Sequence, residues 1–244
     1  MAVPLCTVIT IGSPMEIAPH VHSVQLLGAS AFLIAEERLT LIDAGLAGSR
    51  PLLLRYLRQI GRSVDELDRI ICTHGHPDHV GGVRELLDED RIEVFVHPAD
   101  LEGVSLTLRE ALAAPQGGTR LGHLLQYVTP HPGAAAPLRD GDVLPVLGGL
   151  EVIHTPGHTP GSVCLYARGP RILFTGDVLQ VRFGKLAFAS PIFSHDHAQA
   201  RASVRRLAHL DVDIIAFSHY RPMREGASAA LAGLARQAAT GRSG

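Results

Sequence analysis

"CTHGHPDHVGG", Cys72 to Gly82, places three histidines and an aspartate within six consecutive positions, directly after the apolar run "RII". Residues two apart in an extended chain point to the same side, so His74 and His76 face one point if the loop leaving that strand stays extended. Pro77 favours this by biasing His76 toward β or polyproline geometry, and Gly75 permits close backbone approach. Asp78 and His79 then enter the first turn of a helix whose buried stripe is Val80, Val83 and Leu87, and so project from a second backbone direction. One passage of strand, loop and helix thus offers metal ligands from two sides. A helix N-terminus disfavours added positive charge, which should keep His79 neutral and available as a ligand.

Histidine occurs fourteen times, and the chain supplies its own controls. "HVH", His20 to His22, and "HDH", His195 to His197, share the His-x-His spacing but lack the Asp-His that follows His76. Three further candidates lie downstream, each at the end of an apolar strand: His158 in "HTPGHTPGS", Asp177 in "LFTGD" and His219 in "AFSHY". Taken singly, each is ordinary loop chemistry; following the cluster in this order, they extend it. His154 and Thr155 read as strand end and turn.

With 244 residues, 46% of them hydrophobic, the chain can bury one large core, and we expect a single domain over residues 1–244. A formal charge of −2 gives no general attraction to polyanions, which argues against nucleic acid or an anionic membrane as partner. A small-molecule substrate is the expected partner, for a monomer or homodimer. Cys6, Cys72 and Cys164 have no CxxC spacing and read as thiols in a reducing compartment. "MAVPLCTVITIGSP" lacks a basic leader region, and its apolar run is too short to span a bilayer, so a cytoplasmic location is expected.

"TVITI", "SVQLL", "AFLIA" and "LTLID" read as successive strands. Leu53, Tyr56, Leu57 and Ile60 make one apolar helix face that Gly61 terminates. Beyond the strand "DRIICT", helices are predicted near Val80 to Leu87 and Ala99 to Ala113, with the strand "IEVFV" between them and a loop or boundary at "TPHPGAAAP". "LEVIHT", "SVCLYA", "RILFTGD" and "VDIIAFSH" are strands; "HAQARASVRRLAHL" and "GASAALAGLARQAAT" are helices. Strand runs apolar on both faces, such as "RIICT" and "DIIAF", require sheets covered on both sides, hence a layered α/β protein with a two-sheet core between helices.

Through "THGHPDH", "TPGHTPGS", "FTGD" and "SH", the chain resembles the metallo-β-lactamase fold superfamily over nearly its whole length, with all seven ligand positions filled. The resemblance implies a four-layer αββα sandwich of two mixed β-sheets flanked by helices, with a binuclear metal site at one sheet edge. It assigns His74, His76 and His158 to one metal and Asp78, His79 and His219 to the other, with Asp177 bridging. Two divalent ions follow as cofactors, zinc first, with iron or manganese also accepted by such ligands. The implied activity is hydrolysis of a small ester, thioester or lactone by a metal-bridging hydroxide, with Asp78 orienting the water or shuttling its proton.

The chain looks most like the small stand-alone hydrolases of that superfamily. A rival within it is a persulfide-dioxygenase-like enzyme with one iron on His74, His158 and Asp177; a further alternative is a metal-binding module without catalysis. "VRFGKLAFASPIF" holds Phe183, Phe188 and Phe193 beside Arg182 and the only lysine, Lys185, and is read as an apolar loop walling a substrate pocket. Tyr220, beside His219, is a candidate hydrogen-bond donor to substrate.

Overall fold

The computed structural model describes residues 14–87, 91–102 and 135–240. The predicted strand "TVITI", the predicted helix Ala99 to Ala113 beyond Glu102, and "TPHPGAAAP" up to Gly133 and Ala134 lie outside the described residues.

The first sheet holds β1 (Met15–Ala18), β2 (Val21–Gln25), β3 (Ser30–Ala35), β4 (Leu39–Ile42), β5 (Leu67–Ile71), β6 (Glu93–Val96) and β7 (Ala136–Pro137), side by side in that order. Pairing is antiparallel from β1 to β4 and parallel from β4 to β7. The second sheet comprises β8 (Val143–Leu144), β9 (Leu150–His154), β10 (Val163–Ala167), β11 (Ile172–Phe174) and β14 (Ile214–Ala216), in the order β14, β11, β10, β9, β8. Here β11 and β14 are parallel and the other pairs antiparallel.

Alternation along the strands builds the layers, because successive side chains point to opposite faces. In β3, Phe32 and Ile34 enter the core between the sheets, while Ala31 and Leu33 face α1 (Arg50–Gln59). In β10, Val163, Leu165 and Ala167 enter the same central core, while Cys164 and Tyr166 face the opposite side. That outer side is covered by α5 (His197–Ser203), a 3-10 turn at Val204–Leu207 and α6 (Ala227–Thr240). The result is helix, sheet, sheet, helix, as the resemblance implied. Helix α1 buries Leu53, Tyr56 and Leu57, and Gly61 follows it with φ +69°.

Three elements differ from expectation. The helix predicted from Val80 to Leu87 is two single turns, α2 (Pro77–Val80) and α3 (Val83–Leu86), separated at Gly81 and Gly82. A Cβ on Gly82 would collide with the Ala44 carbonyl, so the chain there packs backbone on backbone. The segment after Asp177, read as a loop, is a hairpin of β12 (Leu179–Arg182) and β13 (Lys185–Phe188). The predicted "HAQARASVRRLAHL" helix tightens to the 3-10 turn after Ser203. Between β6 and β7 the described chain also forms α4 (Pro98–Glu102). No helix among the described residues is long and apolar enough to cross a membrane.

Candidate metal centre

All the sequence-selected ligand segments leave their strands at one edge. Parallel pairing of β4 with β5, and of β11 with β14, puts the ends that precede His74, Asp177 and His219 on common sides of their sheets. Two antiparallel steps give β9, which precedes His158, the direction of β11. Backbone bonds join the sheets there: Val163 N–H donates to Thr73 O at 2.9 Å and Ser30 N–H to Ser218 O at 2.7 Å. His76 takes φ −68° and ψ 150°, the extended geometry Pro77 favours, and Asp78 and His79 occupy the first turn of α2.

Two donor sets result, with a third group, His74, His79 and Asp177, spanning them. His74, His76 and His158 are buried, and their ligand atoms lie within 4.8 Å of one another. His158 Nε2 and His76 Nδ1 face each other at 3.0 Å, close to the edge of about 3.3 Å expected for a tetrahedron of nitrogens about 2.0–2.1 Å from a zinc ion. Asp78, His79 and His219 form the second set. Its mouth is more open, the side chains of Asp78 and His219 being 27% and 29% exposed. Asp177 stands between the sets: Oδ2 is 3.5 Å from His158 Nε2 and 3.2 Å from His219 Nε2, while Oδ1 is 3.6 Å from His79 Nε2.

His74 Nε2, His79 Nε2 and Asp177 Oδ1 are buried close together and make no hydrogen bond, an arrangement that costs free energy unless something else satisfies them. A cation would do so, and the donor set of imidazoles and carboxylates is the chemistry divalent transition metals select.

Asp43 is a site residue that the sequence reading missed. It follows the buried strand β4 directly, with φ +60°, an unusual backbone for a residue other than glycine. Its carboxylate accepts from Thr73 N–H at 2.8 Å, from Thr73 Oγ1–H and from His79 Nδ1–H at 2.8 Å. With its hydroxyl proton committed to Asp43, Thr73 Oγ1 accepts from His74 Nδ1–H at 3.1 Å. One carboxylate thereby holds the Nδ1–H of His74, through Thr73, and of His79, so that Nε2 is the ligand atom of each, free in His74 and freed in His79 by loss of its proton.

Burial and neighbouring imidazoles hold His74 well below its ordinary value, while burial and His158 push His76 down to about 3. His158 falls to about 4, mainly by burial. These rings are neutral and ligand-ready at pH 7. For His79, burial is outweighed by Asp43, Asp78 and Asp177, which raise it to about 9; Asp177 foremost raises His219 to about 11. His79 is therefore protonated in the metal-free protein, contrary to the expectation from the helix terminus, because three carboxylates dominate a four-residue helix. Burial opposes ionisation of Asp78, but His79 and His219 bring it down to about 2.

The remaining candidates lie as follows. Phe183 is at the hairpin turn, 91% exposed, with the Arg182 guanidinium 5.3 Å from its ring centroid. Phe193 is exposed beside Ile192. Phe188 is not a pocket wall: it is buried in the outer core, with Arg201 4.0 Å over its ring, since it pairs with Leu179 on the inward face of the hairpin. Tyr220 packs against Phe217 and donates to Gln180 Oε1 at 3.4 Å. Of the control pairs, His22 bonds Tyr56, and backbone N–H groups of His195 and Asp196 brace the His158 loop. Neither pair joins a donor set among the described residues.

Residues 24–219 match the family model of the metallo-beta-lactamase superfamily. The probable metallo-hydrolase YflN of Bacillus subtilis is 29% identical over 233 residues, covering 87% of this chain and 88% of YflN. A hydroxyacylglutathione hydrolase of Aeromonas hydrophila is 37% identical over 154 residues, 62% of this chain and 47% of that enzyme. A metallo-beta-lactamase family protein from Thermus thermophilus, TTHA1429, shares the fold with a TM-score of 0.67 at 22% identity, over 92% of this chain and 81% of that one. With the match running through the "THGHPDH" segment to His219 and the layers arranged as described, the chain belongs to the metallo-beta-lactamase superfamily.

Proposed function

We propose that this metal-dependent hydrolase cleaves a small thioester, ester or lactone at a pair of divalent cations. His74, His76 and His158 would hold the inner cation, Asp78, His79 and His219 the outer, and Asp177 would be shared. The observation that carries this reading is the position of Asp177, whose carboxylate faces ligand nitrogens of both sets at 3.2–3.6 Å. When bound, such a pair supplies a water that is nucleophilic at neutral pH and positive charge for the carbonyl oxygen. The convergence of Asp78, His79 and His219 favours a pair over a single iron.

The chain's own residues divide the remaining work. The inner histidines are buried and exclude bulk water, while Asp78 is partly exposed and so within reach of a substrate arriving from solvent. Held ionised, Asp78 is suited to orient a water and accept its proton. Burial and Asp177 raise the Tyr220 phenol, so it stays a proton donor, able to steady an oxygen of the substrate. Among the described residues cysteine nucleophiles are disfavoured: burial pushes the Cys164 thiol to about 12 and the Cys72 thiol well above its ordinary value. The similarity to a hydroxyacylglutathione hydrolase supports an acyl group on sulfur as the substrate class.

The test is metal analysis of protein purified without added metal, then anaerobic turnover of thioesters, lactones, esters and phosphodiesters. We expect about two metals per chain and cleavage of a carbonyl substrate. His76→Ala should stay folded but lose the inner metal and most turnover; His195→Ala and His197→Ala should keep both metals. One iron per chain with thiol-dependent oxygen uptake would replace the hydrolase reading, as would undiminished hydrolysis by His76→Ala.

A further inference from the structure

The two loops that carry the inner histidines come from different sheets and are joined at their base by one backbone bond, Val163 N–H to Thr73 O, which leaves the stretches from Gly75 and up to Gly161 to be held by something else. A buried carboxylate outside both holds them. Asp100, in α4 between β6 and β7, is 4% exposed and lies between the loops. Its Oδ2 accepts from Gly75 N–H at 2.7 Å, the peptide between His74 and His76, and from Thr159 Oγ1–H at 2.7 Å, beside His158. Its Oδ1 accepts from Gly161 N–H at 2.5 Å. Both glycines are fitted to it: a Cβ on Gly161 would lie 2.6 Å from Asp100 Cγ, and one on Gly75 3.2 Å from Asp100 Cβ. Thr159 Oγ1 also contacts Ser162 Oγ at 2.7 Å, and Ser162 Oγ accepts from Thr159 N–H at 2.9 Å, so the His158 loop is closed on itself and held as a unit.

We propose that Asp100 is the positioning residue of the inner metal site, a carboxylate clamp that fixes the His158 loop in register with the His74 and His76 loop. The inference deepens the metal-centre reading and rests on it. Asp100 touches neither a ligand ring nor the reacting atoms; it acts through two backbones, one from each sheet. A carboxylate suits the place because all three groups facing it are donors, which an amide would satisfy only in part. Outer-shell contacts of this kind govern how well a ligand set grips its ion, at about ten- to hundred-fold in affinity.

The experiment compares wild type with Asp100→Ala, Asp100→Asn and Tyr166→Phe. Tyr166→Phe removes a hydrogen bond to Asp211 O in the outer core, away from both loops, and controls for lost stability. Each protein is stripped, titrated with cobalt(II) and followed by visible absorption, metal stoichiometry and thermal unfolding. We expect Asp100→Ala to weaken one of the two cobalt equivalents about ten-fold or more and to alter the band that fills with it. The other equivalent should hold, Asp100→Asn should be intermediate, and Tyr166→Phe should bind as wild type. Should Asp100→Ala not fold, Asp100→Asn against Tyr166→Phe makes the same comparison. Wild-type affinities and spectrum in the Asp100 variants would overturn the clamp while leaving the metal centre standing, and so would an equal loss in Tyr166→Phe. A wild-type chain that takes up no cobalt would overturn the metal-centre reading and the clamp together.

Discussion

Asp43 contributes no atom to either donor set, yet it decides which nitrogen of His74 and of His79 is the ligand atom. Asp43→Asn replaces one acceptor by an NH2 group facing donors, so Thr73 or His79 loses its partner. A folded variant with metal affinity lowered about ten- to hundred-fold is expected, measured by competition with a chelator; unchanged affinity would refute the tautomer assignment. The protonation states lead to a second prediction. His79, near 9, and His219, near 11, must each give up a proton to bind a metal at pH 7, whereas His76, near 3, and His158, near 4, need not. Outer-site affinity should therefore rise as pH increases, by about a hundred-fold per unit between pH 7 and 9 for two displaced protons, and the inner site should stay flat. Calorimetry in buffers of differing ionisation enthalpy counts the protons, and release of none with the second metal would contradict the charge states. The seven ligand candidates were legible because each sits in a short motif at a strand end. Asp43 and Asp100 were not, because a carboxylate that only accepts from backbone and hydroxyl donors has no spacing signature, and its partners lie 25 to 61 positions away.

At the scale of elements, the "PDHVGGV" passage shows why the predicted stripe of Val80, Val83 and Leu87 did not make one helix and holds only in part: Leu87 is exposed, and Leu86 is buried in its place. Val80 and Val83 are buried as the period requires, but the turn between them lies against Ala44 to Ala47, where only a residue without a side chain fits. Gly82→Ala needs no unusual dihedral, since Gly82 has φ −80°, so its whole effect is the collision with the Ala44 carbonyl. A loss of about 1–3 kcal/mol in denaturant unfolding is expected, the usual cost of overpacking, with weakened metal uptake, because the displaced turn carries Asp78 and His79. A neutral Gly82→Ala would show that the loop yields freely. Strands with two apolar faces, β3, β4, β5, β10 and β11, were readable from sequence alone. Less so were the short edge strands β1, β7 and β8, and the β12 and β13 hairpin: pairing defines them more than hydrophobic pattern does, and residues such as Arg182, Phe183 and Lys185 resemble loop composition.

For the molecule as a whole, the layers and the metal centre contribute stability in different ways. Three buried clusters, one between the sheets and one beneath each helical layer, are built from side chains that owe nothing to a bound ion. The donor sets sit on segments past the strand ends, so a bound cation stabilises only as a ligand does, by about RT ln(1 + [M]/Kd), or about 2.7 kcal/mol at a hundred-fold excess over Kd. Leu150 is fully buried between the sheets at the start of β9, four strand residues, or about 13 Å, before His154. Leu150→Ala should cost about 2–5 kcal/mol by opening a cavity there, lowering the unfolding midpoint by about 2–4 °C for each kcal/mol. Sites so far apart without shared partners should add. Thermal unfolding of wild type and Leu150→Ala, each stripped and then titrated with zinc, should give two parallel curves: both midpoints climb with the logarithm of free metal, and the gap between them stays constant. A stripped wild type that no longer unfolds cooperatively would mean that the ions hold the sandwich together, and a gap that closes as metal is added would mean that the central core and the metal centre are one energetic unit.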